Sequence, residues 1–155
     1  MSSQLRLAAV ALGSNQGERE THLRYAIGRL GNLLTDLIVS SFIETTPEGG
    51  PPQREFLNAA VVGVSRISPT VLLKELLSIE GERGRERPFN DAPRTLDLDL
   101  ILVGDLVVRE TALTIPHPRF RERRFVLEPL ASIAPDLIDP VTKLTIRDLL
   151  SGLDS

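Results

Sequence analysis

Residues 7–12 are apolar without interruption, and 6–13 reads as a buried strand closed by the turn Gly13-Ser14-Asn15. Leu23, Ala26, Ile27 and Leu30 then recur on one helical face, which predicts a helix over about 18–30. Residues 37–45 and 56–64 are rich in Ile, Val and Phe and predict two strands. The glycines and prolines of 46–53 forbid regular structure between them. Ser68 caps and Pro69 opens a second helix reaching about Glu82, with Leu72, Leu73, Leu76 and Ile79 on its buried face. The polar stretch 83–93 has two prolines and no apolar period, and predicts a mobile loop. A strand over 96–103 turns at Gly104-Asp105 into Leu106-Val107-Val108. A short helical region over 119–134, broken at Pro129, and a final helix over 145–150 complete the pattern. The order β-α-β-β-α-β with extra elements predicts an α+β sandwich, a mainly antiparallel sheet with helices on its faces. No repeat or linker divides the 155 residues, so a single domain over 1–155 is expected.

Composition narrows this picture without redirecting it. With 41% hydrophobic and 25% charged residues the chain is globular, not disordered. The absence of cysteine excludes disulfides, thiolate metal sites and a cysteine nucleophile, and fits a cytoplasmic protein. The opening apolar run is too short to span a membrane and is not preceded by a targeting pattern. A net charge of −3 offers no general reason to bind nucleic acid. The basic residues are unevenly spread, however: only Lys74 and Lys143 are lysines, and arginines gather at Arg83, Arg85, Arg87 and Arg94 and at Arg119, Arg121, Arg123 and Arg124. Arginine forks suit phosphate oxygens. Acidic neighbours such as Glu82, Glu86 and Glu122 equally suit solvated surface runs.

The segment Arg94-Thr95-Leu96-Asp97-Leu98-Asp99-Leu100 is the most informative. Strand alternation puts Asp97 and Asp99 on one face, their α-carbons about 7 Å apart. Carboxylates so close repel one another unless a cation lies between them. Aspartate is a poor strand former, so two in a strongly apolar strand favour a magnesium site over a merely wet face. No Walker pattern is present, so a nucleotide would have to be held by arginines, histidine and metal. His117, between Pro116 and Pro118 and just before the second arginine cluster, could bond a phosphate or simply a turn carbonyl. His22 reads as a surface residue. Phe56 and Phe125 could stack a flat heterocycle, with Asn58 reading its edge; taken alone, both rings read as core.

Together these segments resemble the 6-hydroxymethyl-7,8-dihydropterin pyrophosphokinase family of folate biosynthesis. The likeness runs from Ala11-Leu12-Gly13-Ser14-Asn15 through Ser40-Ser41-Phe42, Phe56-Leu57-Asn58-Ala59-Ala60-Val61, Pro93-Arg94-Thr95-Leu96-Asp97-Leu98-Asp99 and Ile115-Pro116-His117-Pro118-Arg119 to Ala134-Pro135-Asp136-Leu137. It implies a ferredoxin-like α+β fold and the transfer of diphosphate from ATP to a pterin alcohol, giving AMP. It implies two Mg2+ ions on Asp97 and Asp99, which with Arg85 and Arg94 form the catalytic set. It places Glu80, Arg85, Arg94, Leu100, Thr114, His117 and Arg123 on ATP, and Gly13, Thr45, Phe56, Asn58, Asp97 and Phe125 on the pterin. A monomer without nucleic-acid or membrane partners is expected. The chain departs from the family pattern in several places: Phe56 stands where tyrosine is common, and Phe89 is the aromatic in a loop where some members carry tryptophan. Pro118 follows His117 in place of an aromatic, and Ala112 offers no side chain near Thr114. The alternatives are another magnesium-dependent D-x-D transferase and an RNA-binding module. The latter lacks its sheet-surface aromatic pattern here.

Overall fold

A computed structural model describes residues 5–46, 55–84 and 95–154. The apolar run forms β1 (Arg6–Ser14), which lies inside a five-stranded sheet. β1 pairs antiparallel with β4 (Phe56–Ser65) on one side and with β5 (Asp97–Val103) on the other. β2 (Leu34–Val39) and β3 (Ile43–Thr45) both pair with the outer side of β4. Both faces of the sheet are covered, which is why β1 reads as continuously apolar. Val10 and Leu12 pack with Leu23, Ala26 and Leu30 of α1 (Arg19–Leu33) and with Leu72, Leu76 and Ile79 of α2 (Pro69–Glu82). Ala9 and Ala11 face the other way, toward Val126, Leu127 and Leu130 of α3 (Arg124–Ile133) and Ile146 of α4 (Ile146–Leu153). The result is the expected α+β sandwich of ferredoxin-like kind. Among the described residues no helix is long and apolar enough to cross a membrane.

Four boundaries differ from expectation. The strand predicted over 37–45 is two strands, β2 and β3, divided at Ser40. Ser40 is buried: its N–H donates to the Ala60 carbonyl and its Oγ accepts the Ala60 N–H, both at 2.9 Å. This clasp keeps the register of the pair Val39–Val61, and the extra position before the pair Ile43–Asn58 falls at Ser41-Phe42, which together face Ala59. α1 extends to Leu33 and passes directly into β2. α3 is not broken at Pro129: the proline is buried inside a helix that runs on to Ile133, and although it has no N–H to give the ladder, Val126, Leu127 and Leu130 keep that face anchored. α4 runs beyond Leu150 to Leu153, started by Thr145, whose Oγ1 accepts the Asp148 N–H at 3.1 Å.

Two short strands, β6 (Val108–Arg109) and β7 (Thr114–Ile115), form a hairpin. Beyond it the His117 N–H donates to the Ile101 carbonyl at 2.9 Å, which lays this segment against β5. A 3-10 turn at Phe120–Glu122 leads into α3.

Candidate active site

A cavity of about 480 Å³ opens on the α3 face of the sheet, where β1 supplies only small side chains. Gly13 pairs with Asn58 of β4 and with Asp97 of β5, and Ala11 pairs with Asp99. The three central strands therefore place Ala11, Gly13, Asn58, Asp97 and Asp99 in one floor, as alternation predicts for the carboxylates. Leu98 and Leu100 are buried on the opposite face. A Cβ at Gly13 would lie 3.0 Å from Asn58 Oδ1 and 3.9 Å from Phe56 Cδ1, so a side chain there would press on the Asn58 amide.

The segment against β5 brings the Arg123 guanidinium and the His117 ring toward Asp99. His117 Nε2 is 4.0 Å from Asp99 Oδ1, and an Arg123 guanidinium nitrogen is 4.0 Å from Asp99 Oδ2. His117 Nδ1 accepts the Arg119 backbone N–H at 3.2 Å, so the neutral ring carries its proton on Nε2, toward Asp99. Burial pushes the His117 pKa below its usual value; Asp99 opposes this, while Arg123 and Arg119 reinforce it. The ring is thus a neutral donor at pH 7.

The second arginine cluster divides by partner. Arg119 and Arg123 line the cavity. Arg121 instead makes a two-pronged bond to Asp139, at 2.5 and 2.9 Å, and Arg124 pairs with Asp154. Phe56 and Phe125 are half-buried and line the cavity, so neither is the core residue that composition alone suggests. The Arg123 guanidinium sits 5.5 Å from the Phe125 ring centroid. Asn58 Nδ2 donates to Thr45 Oγ1 at 2.5 Å, which fixes the amide's orientation at the cavity edge.

Other singled-out residues lie outside the cavity lining. The Glu80 side chain is 2% exposed, and its Oε2 accepts the Leu98 N–H at 2.7 Å, directly between the two aspartates. Leu100 is in the core beneath, and Thr114 is exposed on β7 with its hydroxyl 3.4 Å from the Glu110 carbonyl. Arg85 and Arg94, with Phe89 and most of the stretch expected to be a mobile loop, lie outside the described residues. His22 is not simply a surface residue: it is half-buried, and its Nδ1 accepts from Arg83 Nε at 3.1 Å. Sequence reasoning passed over Thr46, Arg119 and Glu122 as individual lining residues. Spacing gave one hint, since Arg119 and Glu122 stand three apart and their side chains approach to 3.8 Å.

Two carboxylates on a strand, faced by guanidinium groups and a neutral imidazole beside two half-buried rings, define a domain that can hold a polyanion next to a flat heterocycle. The model of the 7,8-dihydro-6-hydroxymethylpterin-pyrophosphokinase (HPPK) family matches residues 9–135, and the chain belongs to that family. It is 43% identical to a 2-amino-4-hydroxy-6-hydroxymethyldihydropteridine pyrophosphokinase of Synechocystis over 95% of this chain and 76% of that protein. It is 45% identical to the Bacillus subtilis protein of the same name, over 82% of this chain and 77% of the relative. Among solved structures it superposes on Plasmodium falciparum HPPK-DHPS with pteroate at a TM-score of 0.76 and 15% identity. That match covers 98% of this chain and 43% of the larger one, and likeness at this identity speaks for the fold alone.

Proposed function

We propose that this chain carries out the reaction of its family, transferring a diphosphate from ATP to 6-hydroxymethyl-7,8-dihydropterin and releasing AMP. The observation that carries the reading is the set of Asp97 and Asp99 facing Arg123 and His117 across a cavity shared with Phe56, Asn58 and Phe125. Both aspartates are partly exposed on one face, a donor set that suits Mg2+, which takes one or two carboxylates and completes its shell with water and phosphate oxygens. Two such ions are part of the proposal; when bound they would neutralise phosphate charge. Among the described residues no group of three or more candidate ligands is gathered, so the ions would rely on these two carboxylates together with water and phosphate oxygens.

The chain's own side chains then have distinct tasks. Phe56 and Phe125 would stack the pterin, with Gly13 leaving room below and Thr45 orienting Asn58 toward the ring edge. Asp97 borders both the pterin and the metal. Arg123 and the Nε2–H of His117 would hold nucleotide phosphates from the wall opposite the carboxylates. Arg85 and Arg94 are proposed to close on the transferred group, where a positive fork stabilises developing charge. Thr114 and the backbone of Leu100 are proposed nucleotide contacts, whereas Glu80, buried on the α2 face with its Oε2 on the Leu98 N–H, would serve by holding the strand between Asp97 and Asp99. We further propose that residues 1–155 act as a single, monomeric, cytoplasmic domain without nucleic-acid or membrane partners.

The test is direct. Incubation with ATP, Mg2+ and hydroxymethyldihydropterin should release AMP and the pterin diphosphate. Release of ADP alone, or no turnover, refutes the proposal.

A further inference from the structure

Arg121 stands in the middle of the arginine cluster yet turns away from the cavity that its neighbours Arg119, Glu122 and Arg123 line. Its partner, Asp139, has a side chain with 0% exposure. Besides the two bonds from Arg121, Asp139 Oδ1 accepts the Val141 N–H at 3.0 Å and Oδ2 accepts the Thr142 hydroxyl at 2.7 Å. Its backbone N–H donates to the Leu144 carbonyl at 2.9 Å, and its carbonyl accepts the Lys143 N–H at 2.8 Å. Asp139 therefore ties a turn, held also by the bridge between Ile138 and Thr145, to the 3-10 turn carrying Arg121.

A three-residue 3-10 turn is a weak support by itself. Its bonds, Glu122 N–H to the Arg119 carbonyl and Arg123 N–H to the Phe120 carbonyl, are both 3.2 Å. Two side chains stiffen it: Phe120, fully buried in the core, and Arg121, clamped by Asp139. What leaves this turn is Arg123, the cap of α3, followed two residues later by Phe125.

We infer that Arg121 and Asp139 are positioning residues for the cleft, acting through the 3-10 turn to set Arg123 and Phe125 against Asp97 and Asp99. The inference rests on the proposed function only for the identity of the nucleotide. Removing the Arg121 fork leaves Asp139 bonded to its own turn but with its buried charge unpaired, so stability falls as well, and the effect on the arginine wall must be read locally beside that loss.

Two measurements test it on the whole chain. The first is hydrogen exchange without ligand: Arg121→Met should speed exchange of the Glu122 and Arg123 amides and leave the β5 amides protected. The second is calorimetric binding of Mg2+ with a non-hydrolysable ATP analogue. Arg121→Met should weaken it about tenfold, given how steeply a site responds to misplacement, and Arg121→Lys, with a single point charge for a fork, should lose less. Thr142→Val, which strips one bond from Asp139 while sparing the clamp, should lower thermal stability without changing affinity. Unchanged exchange at 122 and 123 in Arg121→Met, or affinity losses that simply follow thermal stability across all three variants, would overturn the inference. Absence of AMP release by the wild type would refute the proposed reaction while leaving the exchange result readable.

Discussion

Gly13→Ala separates the needs of the fold from those of the site. In the middle of a strand, glycine costs roughly 0.5–1 kcal/mol relative to alanine through backbone entropy. Gly13 has no positive φ, and nothing in its backbone forbids a side chain. The obstacle is spatial: the new Cβ would stand 3.0 Å from Asn58 Oδ1, about 0.4 Å inside ordinary contact at 3.4 Å. Asn58 cannot yield freely, because its Nδ2 is already held 2.5 Å from Thr45 Oγ1. Either the amide rotates off its bond to Thr45 or the strands part slightly at this end.

The entropic gain and the local push are of similar size, so thermal stability should change by less than about 1 kcal/mol in either direction. The cavity gains a methyl group beside Phe56 and a displaced amide, both where the heterocycle is proposed to lie. A shift of several tenths of an ångström in a positioning group corresponds to about a tenfold rise in KM for the pterin. KM for ATP should move by less than about twofold, since the arginine wall is untouched. Steady-state AMP release with each substrate varied in turn, beside a thermal melt, reads all three quantities. A pterin KM equal to the wild type's would refute the placement of the ring over Gly13. An equal rise in both KM values would point to general distortion instead.

Asp97→Asn and Asp99→Asn should each lower AMP release on the order of 100-fold or more with circular dichroism unchanged; near-normal turnover in either would remove that carboxylate from the chemistry. Glu80→Ala should leave the buried Leu98 N–H without this acceptor and cost about 1–3 kcal/mol in denaturant unfolding, while Glu80→Gln keeps an acceptor and loses less. Equal losses in the two variants would show that the bond to Leu98 is not what matters. His117 has a lowered pKa in the folded protein, so as pH falls below the ordinary histidine value near 6.5 the unfolded chain binds more protons and stability drops. His117→Asn should make the melting temperature less dependent on pH between about 7.5 and 5.5, and an unaltered slope would contradict a half-buried neutral ring.

Much of this arrangement was legible because it depends on local patterns. The period of two in Leu96-Asp97-Leu98-Asp99-Leu100 identified the wet face, since the sheet obeys the same period. Ser68-Pro69 announced α2, and Ser68 Oγ does accept the Val71 N–H at 3.2 Å. The failures depend on distant partners. The strand over 37–45 divides where its pairing with β4 slips by one position between Val39–Val61 and Ile43–Asn58, a register set by residues about 20 positions on that no window over 37–45 contains. Nothing in the run from Arg119 to Arg124 tells that Arg121 and Arg124 bind Asp139 and Asp154, 18 and 30 residues away. The half-buried state of Phe56 and Phe125 likewise follows from the small residues of β1 between them, a tertiary fact.

Distances within this one cluster separate support from function. Arg121 and Asp139 meet at 2.5 and 2.9 Å with the carboxylate fully buried, a pair with its bonding capacity spent on the protein. Arg123 and His117 stop 4.0 Å from the Asp99 oxygens, beyond hydrogen-bond length. At that separation the Arg123 guanidinium still attracts the Asp99 carboxylate, weakly because both are partly exposed to solvent, so the gap does not reflect indifference. It is imposed by the turn and by the strand edge that carry the two sides. Collapse of Arg123 onto Asp99 would neutralise the carboxylate and the phosphate donor together. A frame rigid enough to hold them apart therefore raises the affinity of both for a ligand that brings cation and phosphate at once, which is why a buried ion pair behind the wall matters to what happens in front of it.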